Sequence, residues 1–286
     1  AAVNDAPTLN SISDQNTLTN VYLYDGNTRI TDGYSFNVDS KIVINGLSIV
    51  VNGSKVISVK ADVASAAANT AATLAVSVTG YTANAVMSTA NVTGNLMAVV
   101  VGNLATATLS ANTVAAASVN AGTTAYTFWS APLQINTRAV WLKTANFRMV
   151  GSAPADALGN IKLFIDGVDT GKVATVAAIQ GSNYAMFDLV GAPISLATGS
   201  HTFDVRADVQ KGSNRNVTLS VQQAADLMIF DPQQGVNIAV TTTGATTYTS
   251  NSAGQISINT GSATVVLDPA QQAVTNISGG TTNAVI

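Results

Sequence analysis

Apolar and polar residues alternate with a period of two along most of the chain. In Ile57-Ser-Val-Lys-Ala-Asp-Val63 the odd positions are apolar and the even ones polar, and Phe203-Asp-Val-Arg-Ala-Asp-Val209 repeats the arrangement. Leu74-Ala-Val-Ser-Val78 and Val217-Thr-Leu-Ser-Val221 read the same way. Successive strand side chains point to opposite faces, so such segments bury one face and wet the other, as in an antiparallel sandwich. Turn-forming pairs separate them: Asp25-Gly26, Asp32-Gly33, Asn45-Gly46, Asn52-Gly53 and Asp166-Gly167. The alanine-rich segment Ala64–Ala72 has the composition of a helical turn but is short and uncapped.

The strands repeat in order. Val21-Tyr-Leu-Tyr-Asp-Gly26 matches Ile161-Lys-Leu-Phe-Ile-Asp-Gly167, Val56–Val63 matches Thr202–Val209, and Leu74–Val78 matches Val217–Val221. Three matches in sequence, with charges at equivalent strand positions, indicate a duplicated unit. The expected fold is all-β: two tandem immunoglobulin-like antiparallel sandwiches, at 1–106 and 107–262, followed by an extended C-terminal tail at 263–286.

The duplication is out of phase with the chain. Ala121-Gly-Thr-Thr-Ala-Tyr-Thr-Phe128 opens the second unit, and Gly279-Gly-Thr-Thr-Asn-Ala-Val-Ile286 resembles it at the C-terminal end. The first unit reaches its Tyr-Leu-Tyr-Asp-Gly strand with no room for such an opening strand. A sandwich short of a strand leaves an apolar groove and unpaired edge N–H and C=O groups. An extended segment of another copy fills both by strand addition, and a head-to-tail contact of that kind propagates. The expected interface residues are Val274, Ile277, Thr281, Thr282, Asn283, Ala284, Val285 and Ile286.

Composition sharpens this picture. Hydrophobic residues make up 47% of the 286 positions and charged residues 9%, and every acidic residue is Asp. Without Glu, and rich in Thr, Val and Gly, the chain lacks the residues that cover exposed helix faces. The net charge is −3 with no basic stripe, which leaves nucleic-acid binding without a foundation. No Cys is present, so disulfides and thiolate metal sites are excluded. No run of about 18 apolar residues would span a membrane as a helix. The Ala1-Ala2-Val3 start fits an exported chain with its signal removed, or a fragment of a longer one. Between Val63 and Thr137 there is no Asp, Glu, Lys or Arg, and from Pro232 to Ile286 only Asp268 is charged. Such faces are inexpensive to desolvate, which suits contacts between subunits, or a glycan-covered surface.

Val21-Tyr-Leu-Tyr-Asp-Gly-Asn-Thr-Arg29, Asn45-Gly-Leu-Ser-Ile49 and Lys55-Val-Ile-Ser-Val-Lys-Ala-Asp-Val63 together resemble a repeat of exported surface proteins from candidate-phylum bacteria. The resemblance covers about 90 residues of the first unit and the second more loosely, where the strand reads Phe164-Ile-Asp-Gly. It implies an Ig-like sandwich at the cell surface and carries no active site.

Candidate chemistry is sparse. His201 is the lone histidine and reads as a strand-end polar residue rather than the base of a nucleophilic triad. Asp166 with Asp169, and Asp25, are weak candidates for a Ca²⁺ site but lack a full ligand set, and read better as turn residues. Asp62 beside Lys60, and Asp204 and Asp208 beside Arg206, read as charge pairs on polar strand faces. Trp141, Ala145, Phe147 and Met149 fall on one face of an alternating strand, which places Trp141 in the core rather than on a carbohydrate platform. Sequons at Asn52, Asn91, Asn216 and Asn276 allow glycans. The reading is a non-enzymatic, cofactor-free, extracellular subunit that polymerises with itself into a pilus-like filament. The alternative is a binding or adhesion module of a larger cell-surface or S-layer protein.

Overall fold

The computed structural model describes residues 2–5, 8–11, 17–64, 73–80, 92–99, 102–243 and 254–261. Among these residues the regular elements are strands joined by turns and loops, with a 3₁₀ turn at Ala224–Asp226. The Ala64–Ala72 segment lies largely outside them, as do the sequon residues Asn91 and Asn276 and every expected interface residue from Val274 to Ile286.

Two apolar cores form. The smaller gathers Leu18, Val21, Leu23, Phe36, Ile42, Ile44, Leu47 and Leu74. The larger runs from Ala105 to Ile258 and is centred on aromatic contacts. Phe147 meets Trp129 with ring centroids 4.8 Å apart and Phe187 edge-on at 6.1 Å.

Two sheets enclose the larger core. One has six strands in the order Val168–Val173, Leu158–Ile165, Gly199–Val209, Tyr126–Asn136, Thr106–Leu109 and Val240–Thr242. The other is built on the long strand Val140–Gly151. Ser182–Asp188 and Ile194–Leu196 pair along one side of it, and Arg215–Ser220 and Leu227–Asp231 along the other. The sandwich is not wholly antiparallel as the alternation suggested: Thr106–Leu109 runs parallel to Val240–Thr242, and Ala117–Asn120 parallel to Ile256–Asn259. Pairing direction is set by how distant segments return to the sheet, which a local period of two does not encode.

The first unit repeats this plan in reduced form. Thr28–Arg29, Leu18–Asp25 and Ile57–Val63 make one sheet. Val92–Thr93, Val76–Gly80, Thr8–Ser11 and Lys41–Val43 make the facing one. Leu18–Asp25 pairs with Ile57–Val63 as Leu158–Ile165 pairs with Gly199–Val209. Ala2–Asp5 pairs with Leu47–Val50, and Thr8–Ser11 with Lys41–Val43 and Val76–Gly80. Together these two N-terminal segments take the part that Val140–Gly151 plays in the second unit.

A further expectation fails. Trp141 is 40% exposed. The register between Val140–Gly151 and Leu227–Asp231 shifts between Leu142 and Thr144. One extra residue at this bulge reverses the phase of the strand. Ala145 and Phe147 therefore point inward with Leu142, while Trp141 points out.

Phe147, with no exposed surface and two aromatic neighbours, is the strongest single test of the larger core. Phe147→Ala is expected to lower its unfolding free energy by about 3–5 kcal/mol in urea titration.

Candidate assembly interface

In the second unit, Gly199–Val209 has a neighbour on each side, Leu158–Ile165 and Tyr126–Asn136. Its counterpart Ile57–Val63 has only Leu18–Asp25. Among the described residues nothing pairs with its other edge. Side-chain burial follows this difference. Phe203, Val205 and Ala207 are fully buried and Val209 is 1% exposed. The equivalent Ile57, Val59 and Ala61 pack on the smaller core but stay half-exposed, and Val63 is 46% exposed. Among the described residues, then, the first unit leaves one edge of Ile57–Val63 without a strand partner, beside an apolar face that its described strands only partly cover.

The second unit shows what fits such an edge. Gly122 donates its N–H to the Val209 carbonyl at 2.7 Å, and Val209 donates to the Thr123 carbonyl at 2.8 Å. Ala125 N–H reaches Asp208 Oδ1 at 2.8 Å, and Tyr126 lies opposite Ala207. The segment making these contacts is the Gly-Thr-Thr stretch that residues 279–286 resemble.

The other face of the same sheet is covered. Val21-Tyr22-Leu23-Tyr24 is buried at every position. Val21 and Leu23 face the smaller core, while Tyr22 and Tyr24 lie on the side occupied by the second unit. There Arg29 is completely buried, with Nη2 2.7 Å from Asp226 Oδ1. The contact is an ion pair by distance but is poorly aligned as a hydrogen bond, and the other guanidinium N–H groups have no hydrogen-bond acceptor among the described residues. The guanidinium lies 5.9 Å and 5.3 Å from the Tyr22 and Tyr184 ring centroids. Asp226 Oδ2 accepts the N–H groups of Gln222 and Gln223 at 2.7 and 3.1 Å. Burial pushes the Asp226 carboxyl above its usual range, and Arg29 with these two amides pulls it back. Burial opposes the Arg29 charge as well, but Asp226 together with Tyr184, Tyr24 and Asp32 outweighs it and the guanidinium pKa is raised.

Around this pair the two units are joined by polar contacts. Gln180 accepts from Asp32 N–H at 2.8 Å and donates to Tyr34 Oη at 2.7 Å. Tyr184 Oη donates to Asp32 Oδ1 at 3.1 Å, and Gly33 N–H donates to Gln223 Oε1 at 3.0 Å. A Cβ at Gly33 would lie 2.9 Å from both Gln223 Oε1 and the Tyr22 ring, so the close approach requires glycine. None of Arg29, Asp226, Gln180 or Gln223 stood out in the sequence. The available signal was Tyr22 and Tyr24, large aromatic residues on what alternation marks as the solvent face.

The weak Ca²⁺ candidates do not converge. Asp25 pairs with Lys55 at 2.7 Å, Asp169 with Lys162 at 2.9 Å, and Asp166 with His201 Nδ1 at 2.7 Å. The hydrogen bond from His201 is the main reason the Asp166 carboxyl sits below its usual range. The His201 Nε2 lies 3.0 Å from the Ala197 carbonyl, so both ring nitrogens are engaged structurally. Among the described residues no three acidic or histidine side chains gather as metal ligands. Arg206 does pair with Asp204 at 2.9 Å. Lys60 does not pair with Asp62, which takes Tyr22 Oη and Asn20 Nδ2 instead, and lies over the Tyr24 ring.

The class the fold defines is an all-β sandwich protein. No family model matches the chain, and no curated protein matches it. The resemblance to candidate-phylum repeats thus has no match behind it. Solved structures give distant likenesses. A chain of the CaDoc0917–CaCohA2 complex is 14% identical at a TM-score of 0.23, covering 54% of this chain and 99% of that one. A protein described as membrane anchored, from Corynebacterium diphtheriae, is 9% identical at 0.22, covering 88% and 58%. BcpA, the major pilin subunit of Bacillus cereus, is 10% identical at 0.16, covering 81% and 69%. Among the described residues no helix is long and apolar enough to cross a membrane.

The buried pair makes a direct prediction. Arg29→Met leaves Asp226 as a buried, uncompensated carboxylate and is expected to cost about 3–5 kcal/mol, whereas Arg29→Met with Asp226→Leu recovers most of that loss. Urea unfolding of the two variants checks both.

Proposed function

We propose that the chain is a non-catalytic structural subunit of an extracellular, pilus-like fibre, joined head to tail by strand addition at the Ile57–Val63 edge. The observation that carries this reading is the contrast between two copies of one strand among the described residues: Gly199–Val209 paired on both sides, Ile57–Val63 on one. The donor is the segment 279–286 of a neighbouring copy. In the register of the second unit, Gly280 and Thr281 meet Val63, Asn283 meets Asp62, and Ala284 lies opposite Ala61. Main-chain bonds supply the affinity of such contacts, and the apolar side chains that become covered add to it. Because donor and acceptor are different surfaces, the contact repeats from copy to copy instead of closing a dimer.

Low charge supports the same reading, since the segments free of Asp, Lys and Arg include the donor. A rigid clamp between the units, through Arg29, Asp226, Gln180 and Gln223, suits a subunit that keeps its shape within a fibre. A second reading, a binding module of a larger cell-surface or S-layer protein, is favoured by one observation: the exposed Trp141 stacked on Phe230.

Electron microscopy of the concentrated, purified chain tests assembly. Uniform fibres are expected, and they should vanish on deletion of 279–286 and in Val63→Pro, which removes an edge donor. Circular dichroism and a sharp thermal transition should show that both variants stay folded. Dispersed particles from the intact chain, or fibres from the deletion variant, would contradict the reading.

A further inference from the structure

The outer face of the sheet built on Val140–Gly151 carries an aromatic row that neither core nor clamp uses. Cross-strand pairing sets Ser195 opposite Trp141, Trp141 opposite Phe230, and Phe230 opposite Asn237. Trp141 and Phe230 stack with centroids 5.8 Å apart and planes inclined by 27°. Ser195 and Asn237 are exposed at the two ends. Four strands span about 14 Å at the usual inter-strand spacing, room for a short oligosaccharide lying across them. Lys143 lies over Phe230, its Nζ 3.2 Å from the ring centroid, so Trp141 is the ring with an open face.

Among the described residues Lys143 forms no ion pair. The nearby carboxylates are engaged elsewhere. Asp188, opposite Thr144, accepts the Val190 N–H at 3.0 Å. Asp231 is buried against Arg138 at 2.6 Å, and Asp62 accepts from Tyr22 and Asn20. An ammonium with no ion-pair partner beside a part-exposed indole suits a ligand that has both an apolar face and an anionic group.

We propose that Trp141, with Lys143, binds an acidic saccharide, a chain of uronic acid sugars. The C–H face of one pyranose lies on the Trp141 ring, where the negative face of the indole meets weakly positive C–H groups. Ser195 and Asn237 offer hydrogen bonds to hydroxyls on either side. The sugar carboxylate lies toward Lys143, which gives charge-assisted bonds that a neutral sugar cannot make. The proposal is independent of strand exchange, since the row lies on a different surface from the Ile57–Val63 edge.

The full chain carries two tryptophans, and Trp129 is buried, so Trp129→Phe leaves Trp141 as the sole tryptophan, excited selectively over the tyrosines at the red edge of its absorption. Titration of that protein with tetragalacturonate is expected to give a saturable change in emission, and maltotetraose to bind about tenfold more weakly or less. In calorimetry with otherwise unaltered protein, Trp141→Ala should abolish binding and Lys143→Gln weaken it about fivefold, both with unchanged thermal midpoints. Absence of a saturable signal with tetragalacturonate, equal binding of maltotetraose, or undiminished binding by Trp141→Ala would overturn the proposal.

Discussion

Each strand carries hydrogen-bonding groups along both edges, and each edge has to be met by another strand or by water. The two halves of this chain meet that demand differently. Gly199–Val209 is enclosed between two strands, and its inward residues Phe203, Val205 and Ala207 lose all contact with solvent. Ile57–Val63 keeps the same alternation and the same Ala-Asp-Val ending, yet its inward residues stay partly wet, and among the described residues no strand lies along its second edge. A short polar edge would be tolerable in this state. This one lies beside an apolar face, which makes it a natural acceptor for an extended segment.

The opposite surface of the same sheet explains why the first unit is a stable platform for such a contact. Tyr22 and Tyr24 extend the burial of Leu18–Asp25 to both faces, and Arg29 and Asp226 meet where they cover each other. A buried ion pair is weak as a source of stability, because desolvation takes back much of the attraction. Its effect is on specificity. Only one placement of the two units brings Arg29 to Asp226, Gly33 to Gln223 and Asp32 to Gln180 and Tyr184 at once. That fixes the direction in which the open edge faces relative to the second unit.

Much of the architecture could be read from the residues. Period-two alternation marked the strands, Asp-Gly and Asn-Gly pairs marked the turns, and the ordered repeat of Tyr-Leu-Tyr-Asp-Gly and Lys-Ala-Asp-Val located equivalent strands. Three things were hidden. The bulge at Leu142–Thr144 reverses the strand phase, and a strict period of two therefore put Trp141 in the core, whereas the sheet holds it out against Phe230. The Arg29–Asp226 pair joins residues almost two hundred positions apart, and a single Arg after a turn reads as an ordinary surface charge. The parallel pairings of Thr106–Leu109 and Ala117–Asn120 were equally out of reach, because strand direction depends on long-range return of the chain.

Amide hydrogen exchange on the unassembled chain tests the central claim most directly. An edge strand protects alternate amides, those bonded to its one neighbour, while a strand with two neighbours protects all of them. Alternating fast and slow exchange along Ile57–Val63, against uniform protection along Phe203–Val209, is the expected result. Uniform slow exchange along both would mean that the first unit seals this edge with its own residues, and the account of assembly would fail.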